Sequence, residues 1–418
     1  MRVIEPIRFE HRTKRRTKKR SRHLVRLVVI LLVAVVVAVF GALRFLSPDL
    51  IIKPVDKQIN FAAKDIALKW PSYGQAAVGA RGYKVLAAHG EDTPLPTASI
   101  AKVMTAFAVL RQYPLALGEQ GPMITMKTSD VQLYNDYLAK DGSTVAVQAG
   151  EQISEYQALQ AILLPSANNM ADTMAIWAFG SVEAYVDYAN GLAKTIGLEK
   201  SHFADASGFS SDTVSTARDL VLLGESILLN DVMAEIISQT TADIPVAGTI
   251  KNVNFALGVE GINGIKTGNT EEAGGCFLVS ASHTFADGQK IVVVAAVLGA
   301  PNLYTALQDS LPLLRSMYPG FGYVEFAKAG QEVANYSVPW VGNVPAKVTK
   351  DQKIFTWLGS EIKVDIQLRN IQAPLAKDTA IGTVSVGSGI FESSTDVVLT
   401  RAVPAPSASW RLKNILKF

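Results

Sequence analysis

Pro96-Thr97-Ala98-Ser99-Ile100-Ala101-Lys102-Val103-Met104-Thr105 is the stretch from which the rest of the chain can be read. Ile100, Val103, Phe107 and Leu110 fall at helical spacing, so a helix is expected from about Ser99 until Tyr113-Pro114 stops it. Ser99 then lies in the first turn and Lys102 one turn on, with side chains able to meet. A serine hydroxyl is a weak nucleophile until a neighbouring base takes its proton. Lysine serves as that base only when desolvation or a second cation lowers its pKa from about 10.4. The helix start adds N–H groups that favour an oxyanion formed at Ser99.

Ser-x-x-Lys alone is weak, since a chain of ordinary composition shows it about once by accident. Two further groups change its weight. Ser166-Ala167-Asn168 follows the helix breaker Leu164-Pro165, and Lys266-Thr267-Gly268 lies in a strand-like run from Gly264 to Thr270. Ser-x-x-Lys, Ser-x-Asn and Lys-Thr-Gly, in that order, form the signature of penicillin-binding proteins and class A β-lactamases. The likeness extends to Leu163–Asn169, His202–Gly208, Ser215–Leu220, Asn252–Asn254 and Gly264–Gly274. Over about residues 65–315 the sequence resembles the low-molecular-weight D-alanyl-D-alanine carboxypeptidases, serine peptidase family S11.

That resemblance implies an α/β fold of the transpeptidase and β-lactamase type, an antiparallel sheet flanked by helices with a helical lobe. It makes Ser99 the acylated nucleophile, Lys102 its general base, and Ser166 a proton relay bridging Lys102 and Lys266. Asn168 would hold a substrate amide, and Lys266 and Thr267 the terminal carboxylate. Lys266 would also help keep Lys102 neutral. Gly268 would let the substrate approach the sheet, and the N–H groups of Ser99 and Asn269 would form the oxyanion hole. The implied partners are a peptidoglycan stem peptide ending in D-Ala-D-Ala and β-lactams as covalent inhibitors, with no cofactor. One departure stands out. Where many relatives carry a carboxylate-binding arginine, this chain reads Gly299-Ala300-Pro301-Asn302, and the next arginine is Arg315.

The residues themselves support a sheet built from both ends of this region. Gln75 to Val78, Tyr83 to Ala88, Cys276 to Ser282 and Lys290 to Leu298 read as strands. Ser154–Leu164, capped by Ser154, Asn169–Phe179, Val182–Ile196 and Ala217–Leu229 read as helices between them. The organisation expected is a basic tail (1–26), a transmembrane helix (27–46), a linker (47–60), the catalytic domain (61–320), a small all-β domain (322–403), and a linker with a short amphipathic tail (404–418).

Charge is divided accordingly. Residues 1–26 hold 11 Lys/Arg and 2 Asp/Glu, net +9, leaving 29 of the 40 Lys/Arg and 35 of the 37 Asp/Glu for the rest, net −6. Leu27 to Leu43 carries no charge; its 17 residues span about 25 Å, and the wider run from Leu24 to Leu46 nears the ~30 Å hydrocarbon thickness. The basic excess before it predicts a single-pass cell-membrane protein with a cytoplasmic N-terminus and everything after the span outside. A cleavable signal is the alternative, although the apolar run exceeds the usual length and Val39-Phe40-Gly41 is a poor cleavage site. Topology and lipid headgroups explain the basic run without nucleic acid. In the tail, Leu412, Ile415, Leu416 and Phe418 share one helical side.

The single cysteine, Cys276, excludes an intramolecular disulfide and reads as a buried small hydrophobe. Five histidines without ligand spacing predict no metal. A class A β-lactamase would need a Glu-x-x-Leu-Asn segment, which residues 196–212 lack. Endopeptidase action on cross-links uses the same trio and stays open. A non-catalytic wall-binding protein would be expected to lose Ser99 or Lys102, and both are present.

Overall fold

The computed structural model describes residues 15–45 and 51–414. Helix α1 (Arg15–Phe45) opens the chain. Its Arg22–Gly41 segment, with mean hydropathy 3.0 and exposed along its whole length, is long and apolar enough to cross a membrane. The first fourteen residues of the basic tail, Leu46 at the end of the expected span, and Ile415, Leu416 and Phe418 lie outside the described residues.

Five antiparallel strands form the central sheet: β1 (Gln75–Ala80), β2 (Lys84–His89), β3 (Ile262–Thr270), β4 (Gly274–Thr284) and β5 (Lys290–Ala300), in the order β3-β4-β5-β1-β2. Each strand of this sheet read from the sequence is present and two residues longer at one or both ends, β2 excepted, which is shifted by one. β1 is buried from end to end because both sheet faces are covered. Its alternation assigns Ala77 to the core beneath the helical lobe and Ala76, Val78 and Ala80 to the core on the opposite face.

Seven helices fill the segment between β2 and β3: α2 (Lys102–Gln112), α3 (Thr128–Leu138), α4 (Glu155–Leu163), α5 (Asn168–Phe179), α6 (Val182–Thr195), α7 (Ala217–Leu228) and α8 (Asp231–Ile237). The spacing within α2 predicts one apolar face, yet every residue from Lys102 to Leu110 is buried. Ala101, Ala106 and Ala108 fill the remaining sides, so the helix runs through the core of the lobe. Ser154 caps α4 in a reciprocal box with Gln157, as its sequence predicts. Helix α9 (Leu303–Met317) covers the other face of the sheet despite Pro312 in its interior.

Beyond α9 a six-stranded antiparallel sheet joins 332–338, 342–348, 391–399, 380–388 and 365–368, with Pro54–Asp56 on its outer edge beside 332–338. Residues 51–60, read from the sequence as linker, are therefore built into this sheet region. Ile52 bridges Ile371, Pro54–Asp56 pairs with 334–336, and Asn60–Phe61 pairs with Lys363–Ile362. Ile52 is buried, and Ile59 and Phe61 pack on the same core as Tyr336 and Val384. These spaced apolar residues gain more by covering that core than a solvated linker would. The core beneath α9 takes in Phe321, Phe355 and Trp357 from beyond that helix, and Phe391, edge-on to Phe355 at 5.6 Å, packs against both it and the C-terminal core.

Candidate active site

Ser99 does not sit in the first turn of an α-helix. It lies in a tight 3-10 turn, Ala98–Ala101, that precedes α2, with Ala98 at φ +47°. The turn is clamped from two sides. A Cβ on Gly268 of β3 would come within 2.8 Å of Thr97 O and 3.3 Å of Ser99 N, and one on Gly208 within 1.9 Å of Ala98 O. Gly268, expected to make room for substrate, thus first makes room for the turn that carries Ser99.

Lys102, the first residue of α2, is wholly buried, and its Nζ donates to Ser99 Oγ at 2.8 Å and to the Ser207 carbonyl at 2.8 Å. That carbonyl is held by a bonded turn. Asp205 accepts from Ser207 Oγ at 2.8 Å, Gly208 N at 3.1 Å, Phe209 N at 2.8 Å and Thr213 Oγ1 at 2.5 Å. One turn along α2, Thr105 Oγ1 donates to the Ala206 carbonyl at 2.6 Å. Helix and turn are therefore pinned together at Lys102 and again one turn beyond it.

Lys266 and Thr267 lie on β3, an edge strand, yet both are buried because the Ser99 turn packs over it. Lys266 Nζ donates to the Thr267 carbonyl at 3.0 Å. Asn269 is exposed at the end of the same strand, opposite Gly275.

The 164–168 loop enters from the helical lobe. Ser166 has φ +69°, and its Oγ is buried without a hydrogen-bond partner in the protein. The Lys102–Ser166–Lys266 bridge implied by the resemblance is not made, because Lys102 turns to Ser99 and Ser207 and Lys266 to Thr267. Asn168 begins α5 without capping it, its backbone N–H bonded to the Ser143 carbonyl at 2.7 Å. Neighbouring Asn169 does the structural bonding, exchanging hydrogen bonds with Val145 at 3.1 and 2.9 Å.

Burial lowers the Lys102 ammonium to about 7, while the carboxylates of Asp205 and Asp172 pull it upward. Lys266 is held well below the usual lysine value, first by burial and then by the charge of Lys102. Lys266 is not among the charges acting on the Lys102 ammonium, whose one downward cause is burial. Desolvation, rather than a second cation, therefore makes Lys102 a base near neutral pH.

A nucleophile in hydrogen-bond contact with a buried, deprotonatable lysine is equipped for acyl transfer. The sequence profile of the D-alanyl-D-alanine carboxypeptidase family, peptidase S11, matches residues 73–302, more than half of the chain. The chain belongs to that family. It is 27% identical to the D-alanyl-D-alanine carboxypeptidase DacA of Escherichia coli over 342 residues, 77% of this chain and 83% of the relative. A D-alanyl-D-alanine endopeptidase of Pseudomonas aeruginosa is 31% identical over 250 residues, 57% of this chain and 74% of that one. Penicillin binding protein 5 of Haemophilus influenzae shares the fold with a TM-score of 0.55 at 21% identity, over 82% of this chain and all of that one. The Streptomyces K15 DD-transpeptidase does so with a TM-score of 0.51 at 23% identity, over 61% of this chain and 98% of its own.

The family's missing arginine is not restored from elsewhere in α9. Asn302, in its place, caps α9 by accepting from Thr305 N at 2.9 Å, and Arg315 pairs with Glu260. Sequence reasoning also missed Asp205, Ser207 and Thr105 as the setting of Lys102. Their one signal was the turn-forming Asp205-Ala206-Ser207-Gly208. Cys276 is buried on β4 opposite Gly268, with its thiol raised to about 11 by burial.

Proposed function

We propose that this chain is a membrane-anchored serine D-alanyl-D-alanine carboxypeptidase that removes the terminal D-Ala from peptidoglycan stem peptides through an acyl-enzyme. The observation that carries the reading is the buried Lys102 Nζ standing 2.8 Å from Ser99 Oγ. Neutral Lys102 takes the hydroxyl proton as Ser99 Oγ bonds to the carbonyl carbon of the penultimate D-Ala. The C–N bond then breaks, the departing D-Ala amine takes a proton, and water releases the shortened peptide from Ser99. Ser166, with an unpartnered Oγ, is the group available to pass that proton to the leaving amine. Asn168 would bind the substrate amide, and Lys266 and Thr267 its terminal carboxylate, with Gly268 keeping the strand accessible. The N–H groups of Ser99 and Asn269 would form the oxyanion hole, each such donor worth about 3 kcal/mol in the transition state.

The N-terminal helix would anchor the enzyme in the cell membrane, with the net +9 of residues 1–26 on the cytoplasmic side and the catalytic residues outside. Carboxypeptidase rather than endopeptidase action is favoured by extent. The match to the carboxypeptidase of Escherichia coli covers 77% of this chain, against 57% for the endopeptidase of Pseudomonas aeruginosa. A β-lactam presents an amide to the same serine and should be trapped as an acyl adduct. Incubation with penicillin, digestion and mass spectrometry should find the added mass on Ser99 and none in Ser99→Ala. A label on any other residue, or none on folded protein, would overturn the reading.

A further inference from the structure

Next to Ser207, whose carbonyl accepts from Lys102, lies a buried polar cluster that the reaction just described does not use. Asp172, one turn past Asn168 on α5, is only 8% exposed, and its Oδ1 is buried without a partner. Its Oδ2 accepts from Tyr137 Oη of α3 at 2.8 Å. Tyr137 Oη stands 3.5 Å from Ser207 Oγ, and Ser207 is the residue whose carbonyl accepts from Lys102. A half-bonded carboxylate has therefore been taken out of water within electrostatic reach of a lysine that must become a cation. A buried carboxylate with one oxygen unsatisfied is costly to folding. Packing alone would be served by a neutral residue.

The geometry points to Asp172, oriented by Tyr137, as a positioning residue that supplies the counter-charge for Lys102 at the moment Lys102 takes the proton of Ser99. This rests on the acyl-enzyme reading above. The proton travels from Ser99 Oγ to Lys102 Nζ and on to the leaving amine, and none passes to Asp172. The carboxylate stabilises the ammonium through space, in a low-dielectric interior where such an interaction is weakly screened.

The groups facing Asp172 define its state. They are Tyr137 and, beyond the end of α3, Lys140; Lys102 from α2; Asp205 from the 205–208 turn; and Tyr185 from α6. Asp130 of α3 is nearby but is bonded to Thr173. Burial raises the Asp172 carboxyl to about 6, while the Tyr137 hydrogen bond holds it down. It is thus ionised at the pH where Lys102 must work, and Tyr137 keeps it so.

The test is the pH dependence of penicillin acylation in full-length protein, from about pH 5 to 9. Removing the negative charge in Asp172→Asn lets the pKa of Lys102 fall. The acid limb of the profile should move down by about one pH unit, while the plateau rate drops several-fold because the base is weaker. Tyr137→Phe retains the ring, which packs edge-on to Phe209 at 5.5 Å, but removes the donor. Asp172 then holds its proton to higher pH, and the acid limb should shift the same way by less. This second variant decides the matter if Asp172→Asn does not fold. A mere structural role would lower the rate without moving the limb. Acid limbs coincident with wild type, at whatever rate, overturn the proposal while leaving the acyl-enzyme reading intact. Absence of a Ser99 adduct in the wild type overturns that reading itself, and this proposal with it.

Discussion

Gly208→Ala probes how tightly the nucleophile is held by a residue that packs on the Ser99 turn from outside it. Gly208 has φ +71°, and a Cβ there would lie 1.9 Å from Ala98 O, 2.6 Å from Ala98 C and 2.9 Å from the Ala101 side chain. Two of these are backbone atoms of the Ser99 turn, which no rotamer change can clear. Real Cβ contacts do not fall under 3.0 Å, so turn and loop must separate by about 1 Å. Displacing a reacting group by that much costs about 100-fold in rate. The left-handed backbone adds about 1 kcal/mol of destabilisation for any Cβ. Gly180→Ala isolates the second effect, since Gly180 has φ +91° at the end of α5 and nothing within 4 Å. Second-order acylation rates with a fluorescent penicillin, beside thermal melting curves, separate the two. Both variants should melt lower, and only Gly208→Ala should lose acylation by about two orders of magnitude. Equal acylation rates in the two variants would refute the clamp.

Two further outcomes follow from other parts of the fold. Glu155, fully buried with neither carboxyl oxygen partnered, is raised from 4.5 to about 7 by burial. The folded state keeps a proton that the unfolded state loses, so stability declines as pH rises from about 4.5 to 7 and the penalty persists above. Glu155→Gln should therefore raise the melting temperature at pH 8 and leave it unchanged near pH 4; an equal gain at both would refute the titration. Protein begun at residue 62 instead of 51 lacks the strands Pro54–Asp56 and Asn60–Phe61. Its C-terminal sheet should melt earlier while acylation at Ser99 keeps its rate, and coincident melting curves would refute a supporting role for those strands.

The sheet and most of the helical lobe were legible because their signals are local. The apolar runs of β4 and β5, the Ser154 cap and the Pro114 stop each act within a few residues. Helix α9 was not assigned, since Pro312 speaks against a helix whose burial against β4 and β5 decides otherwise. Residues 51–60 read as linker because an edge strand of three residues has no periodicity of its own; the partner strand 332–338 supplies the order. In the site, Ser99 and Lys102 were marked by spacing and their contact follows from it. Ser207 and Asp172 were not, because they reach Lys102 from 105 and 70 positions along the chain, through tertiary folding alone. Lys102 is lowered by burial and not by the repulsion expected from Lys266, and how deeply a lysine is buried is set by tertiary packing rather than by spacing along the chain.

The pairing of Pro54–Asp56 with strand 332–338 has a mechanical consequence. The whole segment from β1 to α9 enters and leaves through neighbouring parts of one β module, so it is topologically an insert carried in that module. Tension on α1 would reach the Ile52–Ile371 bridge and then the 54–56 edge strand before anything that holds Ser99. The insert's two ends are tethered to the same body, so it can be stretched only after that edge strand peels away. An enzyme arranged in this way can be pulled at its N-terminal helix while its reacting groups keep their spacing.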